Sequence, residues 1–123
     1  MGNCNDRFQD IDKLTVQMSW KMIKADANTF FEHYFNHTDS ILIIKLPGSD
    51  LTAKIKIMLQ TIDMLVAGEQ ESNIDQETKA ILFKKNRTHF ESVWSKFLRQ
   101  QFSFDPLYVH HLALWNAWFS KFR

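Results

Sequence analysis

The sequence is poor in the residues that make sharp turns and cross-links. Among 123 residues there are three Gly, two Pro and one Cys. Sandwiches and barrels need many tight turns, so this shortage argues against both. The lone cysteine, Cys4, excludes an intrachain disulfide framework and a cysteine-rich zinc site. Charge of either sign is not in excess: 15 Lys and Arg against 14 Asp and Glu leave +1. There is thus no electrostatic footprint for nucleic acid, and none is expected as a partner. No window approaches the ~20 apolar residues that span a bilayer, and no apolar signal-peptide core is visible. A soluble, cytoplasmic chain is expected. A Gly-rich phosphate loop, a Gly-x-Ser-x-Gly elbow and a His-Glu-x-x-His pair are all missing. Glu69 and Glu71 lie in a polar loop, with no aromatic burial to shift a carboxyl. The chain is therefore not expected to be an enzyme.

Large side chains are abundant instead. Hydrophobic residues make up 45% and aromatics 14%, with eleven Phe and four Trp. The length suits one domain with a real core. Residues 1–7 are expected to be a flexible N-terminus, and 8–123 an all-α helical domain of about five to six helices.

Apolar residues Phe8, Ile11, Leu14, Met18 and Met22 recur every three or four positions and predict an amphipathic helix over 8–24, its face widened by Trp20 and Ile23. Ala27, Phe30, Phe31, Tyr34 and Phe35 predict a second over 26–37, with a weak join at 25–28 where a bend or a break is expected. His33 and His37 share a flank of it, too few ligands for a metal. Residues 40–46 read as a short helical turn or an extended connector, ended by Pro47-Gly48. Ser49 or Asp50 then caps the clearest helix, whose stripe is Leu51, Ile55, Met58, Leu59, Ile62, Leu65 and Val66, stopped by Gly68. Asp105 is a good N-cap and Pro106 suits the first position of a last helix, which is expected to run to about Phe122. Tyr108, His111, Leu112, Trp115, Phe119 and Phe122 share its face. The adjacent His110 and His111 point different ways and cannot serve one site.

Residues 76–102 are the segment on which the other helices are expected to pack. Phe90, Trp94 and Leu98 fall four apart, as do His89, Val93 and Phe97. The polar run Lys84-Lys85-Asn86-Arg87-Thr88 predicts a break or an approach to the surface. Its three cations read as a solvated face or a phosphate contact. His89 reads either as a ligand or as a partly buried histidine bonded to a carbonyl.

At the start, Met1-Gly2-Asn3-Cys4 offers two lipidation sites, Gly2 once methionine is removed and Cys4 for a second chain. Two chains hold a protein on a membrane where one is marginal, so peripheral membrane association is one expectation. Asp6 stands where the acylation pattern wants Ser or Thr, and an ordinary frayed terminus is the other expectation.

The order of aromatic landmarks resembles the globin family across about Phe8 to Phe122. Ser19-Trp20 looks like the A helix, Phe30-Phe31 with Phe35 like the B helix, and Lys54-Ile55 through Ile62-Asp63 like the E helix. Phe90, Val93 and Leu98 look like the G helix, and Ala117-Trp118 with Phe119 like the H helix. The resemblance implies a compact globin-like fold and haem binding. It implies His89 as the iron ligand and a pocket of Phe31, Phe35, Met58, Ile62 and Val93. A diatomic gas such as oxygen would be carried or sensed. The chain departs from the pattern where haem is held. Aligned on Leu-x-x-Lys-His, residues 82–86 place Asn86 where the proximal histidine belongs, three positions before His89. The distal position falls near Leu51, Thr52 or Lys54, none of them histidine. The alternative is a haem-free globin-like module for interaction or for a small apolar ligand.

Overall fold

Asp50 and Gly68 bound one helix by simple local chemistry. The Asp50 carboxylate accepts the Ala53 N–H at 2.9 Å, and Gly68 takes a left-handed φ of 81° at the other end. Its N–H and that of Glu69 close back on Leu65 and Met64 carbonyls, leaving few orphan groups at the helix end. The computed structural model describes residues 10–122. Within them are six α-helices and no strand: α1 (Asp10–His37), α2 (Ile41–Lys45), α3 (Leu51–Ala67), α4 (Gln76–Ala80), α5 (Arg87–Phe102) and α6 (Tyr108–Ser120). The fold is all-α, as the composition predicts.

α1 differs from its expected form in two respects. It is one helix of 28 residues, with no break at 25–28. Ala25 and Ala27 favour helix, and neither Gly nor Pro interrupts the run. Its buried side is also the opposite one. Val16, Trp20, Ile23, Ala27 and Phe31 face the core, while Ile11, Leu14, Met18 and Met22 are 71, 58, 67 and 70% exposed. Polar bonds from α1 fit the observed orientation. Trp20 Nε1 donates to the Asp63 carboxylate at 2.8 Å, and the buried Ser19 hydroxyl accepts from Trp115 Nε1 at 3.1 Å. Turning α1 over would leave both indoles without these acceptors. Phe8, the first member of the expected stripe, lies outside the described residues.

α1 packs on α3, α5 and α6. The core is largely aromatic. Trp94 sits at its centre with ring centroids 5.3–5.8 Å from Trp115, Phe97, Trp20, Phe31, Phe90 and Phe119. These are the separations at which offset and edge-to-face pairs attract.

Between α4 and α5 the chain makes a π-turn, Ile81–Lys85, where Asn86 N–H reaches five residues back to the Ile81 carbonyl at 3.0 Å. Asn86 then leaves helical geometry at φ −127°, ψ 31°, and α5 starts anew. The break expected in this polar run is there. Its apolar neighbours Ile81, Leu82 and Phe83 are buried, so the chain wraps one further residue into the turn while staying on the core.

Candidate functional site

His89 lies in the first turn of α5, half-buried. Its Nε2 shares a hydrogen bond with the Ser40 hydroxyl at 2.8 Å. Ser40 is buried, and the same hydroxyl accepts the Leu42 N–H at 3.2 Å as the N-cap of α2. One imidazole thus pins a short helix to the start of a long one. The sequence reading missed Ser40 as the partner. A serine just before an apolar run is a cap signal, but nothing in the sequence joins positions 49 residues apart.

The other end of α2 is tied as well. Lys54 Nζ donates to the Ile43 and Ile44 carbonyls at 2.9 and 3.2 Å. A cation at a helix C-terminus meets its orphan carbonyls and the negative end of its dipole. Lys54 therefore spends its charge on α2, beside a turn at Gly48 where any Cβ would come within 2.8 Å of the Lys54 backbone nitrogen.

Phe31, Phe35, Met58, Ile62 and Val93 all belong to the hydrophobic core. Phe31 is filled in on several sides: ring centroids of Phe30, Phe97, Trp94 and Phe35 lie 5.0, 5.3, 5.7 and 6.0 Å away. A porphyrin seated among these residues would have to displace such rings, and iron ligation through Nε2 would break the Ser40 bond. The residues as arranged do not fit the group. Other side chains line the clefts. One of about 440 Å³ lies among Asp26, Thr29, Phe30, His33, Gln100 and Gln101. One of about 460 Å³ lies among Trp20, Lys21, Lys24, Ala25, Leu59, Gln60 and Asp63.

His89 itself lines a third cleft, of about 370 Å³, together with Lys84, Lys85, Asn86, Arg87 and Thr88. The remaining histidines are accounted for locally. His37 Nδ1 bonds the His33 carbonyl at 2.9 Å on the exposed flank of α1. His111 stacks on Phe102 at 4.1 Å and approaches the Asp105 carboxylate at 3.3 Å, whereas His110 is exposed. Among the described residues no group of three or more His, Cys, Asp or Glu is placed to hold a metal ion. None of their helices is long and apolar enough to cross a membrane. Gly2 and Cys4 lie outside the described residues. Comparison of the chain with family models, with curated proteins and with solved structures finds no match.

Proposed function

We propose that this chain is a haem-free helical interaction module that rests on a membrane surface through α1. The observation that carries the reading is the solvent-facing row Ile11, Leu14, Met18 and Met22. Its spacings of three, four and four keep it on one side of the helix. Large apolar side chains exposed singly are ordinary, but a contiguous row over three turns marks a contact surface. Residues 2 and 4, with their acylation chemistry, stand shortly before it in the sequence. One acyl chain gives marginal binding, and a second apolar element makes it stable. Lys13, Lys21 and Lys24 are set against Asp12 and Asp26 along the same helix, so the contact relies on apolar area more than on charge.

The globin resemblance supports a rival reading, haem and gas binding through His89. The Ser40 bond and the ring packing around Phe31 favour the haem-free one. Two measurements separate them. The full chain, acylated at its N-terminus, is expected to float with neutral phosphatidylcholine vesicles. Met18→Asp with Met22→Asp is expected to leave it in solution, and Gly2→Ala to weaken it. Flotation that ignores both changes overturns the proposal. Haemin titration is expected to give no Soret band of its own; a band that disappears in His89→Ala assigns the chain to gas binding instead.

A further inference from the structure

The hollow at the π-turn is walled by six consecutive residues, 84–89. A regular α-helix could not do this, because six residues travel well over one 3.6-residue turn and point all round the axis. Here the wider π-turn ends at Lys85, Asn86 departs from helical angles, and α5 begins anew at Arg87. Side chains from both sides of the break therefore border one cleft of about 370 Å³. Single π-turns are frequent at functional positions.

The lining is strongly cationic. Lys84, Lys85 and Arg87 form no ion pair with any carboxylate among the described residues. The first turn of α5 has no acidic residue. Thr88 adds a hydroxyl and Asn86 an amide. His89, bonded to Ser40, completes the lining. Three cations around one concavity, none paired with a carboxylate, make a local positive potential that favours entry of an anion. A chain with a net charge of only +1 has not put them there through general basicity.

We propose that this cleft binds a phosphoryl group. Its three cations match a dianion, and the guanidinium offers the two parallel donors that phosphate oxygens accept. A nucleic acid is not the occupant, since the basic surface is one compact patch and does not track a backbone. The phosphoryl group is either free or carried on a lipid headgroup, and the test distinguishes the two. The site stands independently of membrane contact by α1.

The experiment is an amide-shift titration of the full, folded chain with inorganic phosphate, ionic strength held constant with chloride. Saturable shifts centred on residues 84–90 are expected. Lys84→Gln with Lys85→Gln removes two exposed cations from the surface and is expected to weaken binding about tenfold or more, as losing charge-assisted contacts does. Adding Arg87→Gln is expected to abolish it. If the triple variant fails to fold, the double variant alone decides. Shifts that do not saturate, or that survive unchanged in the double variant, overturn the proposal. Neutral vesicles with and without a phosphoinositide then assign the source. Extra retention lost in the double variant points to a lipid headgroup; phosphate binding without extra retention points to a soluble phosphorylated ligand.

Discussion

Two buried indoles of this protein differ in one hydrogen bond, and that difference sets what each contributes. Trp115 Nε1 donates to the buried Ser19 hydroxyl across 96 positions of sequence. Trp94 Nε1 is buried without a partner. Ser19→Ala strands a buried donor and is expected to cost about 1–3 kcal/mol in urea unfolding. Trp94→Phe removes no hydrogen bond and loses only packing. A Ser19→Ala variant within about 0.5 kcal/mol of the parent would show that the bond is not formed. Ser40 and His89 offer a second residue-scale test. Ser40→Ala loses both the α2 cap and the imidazole contact, so its cost should exceed the roughly 0.5–2 kcal/mol of a cap alone. A double-mutant cycle with His89→Ala is expected to return a coupling of about 0.5–1.5 kcal/mol. Zero coupling would release His89 for another role, ligation included.

At the scale of elements, legibility depended on where the deciding interaction lies. α3 could be read almost whole, because its cap, its stripe and its glycine stop are all local. The glycines at its two approaches differ in a testable way. A Cβ at Gly68 meets only the Lys13 ammonium at 3.6 Å, so Gly68→Ala bears the left-handed backbone cost alone, about 1 kcal/mol. At Gly48 the Cβ would also collide with the Lys54 backbone at 2.8 Å, and Gly48→Ala should lower the thermal midpoint further. α1 could be read as a helix but not as to which side it buries. It carries apolar residues on two sides, and periodicity ranks the row of Ile11, Leu14, Met18 and Met22 as highly as that of Val16, Ile23 and Ala27. Asp63 on α3 and Trp115 on α6 help set the choice, and neither is visible from α1. The candidate site suffered in the same way. The polar run at 84–88 announced a break, but the π-turn leaves no local mark, and the cap signal of Ser40 does not point to His89. The inversion predicts a sharp asymmetry. Met22→Asp should stay within about 0.5 kcal/mol of the parent, whereas Ile23→Asp, one position on, buries an unpaired carboxylate and should unfold the chain or cost several kcal/mol. Equal tolerance at 22 and 23, read from circular dichroism melts, would contradict the orientation of α1.

For the whole molecule, the question is whether its aromatic interior is a filled core or a closed pocket. Phe31 answers it, because it packs on Trp94 and Phe97 of α5 and on its own helix neighbours Phe30 and Phe35. If the space is filled, Phe31→Ala should cost about 3–5 kcal/mol, the transfer of a ring plus the void it leaves. That is a large share of the roughly 5–15 kcal/mol by which a domain is stable. The void would be apolar and dry, of the kind that accepts benzene. Saturating benzene should then raise the melting temperature of Phe31→Ala through binding to the folded state alone, and should leave the parent unmoved. A parent that also gains stability from benzene would hold an open hollow before any truncation. In that event the interior serves a small apolar ligand, and α1 is no longer needed to explain what the chain binds.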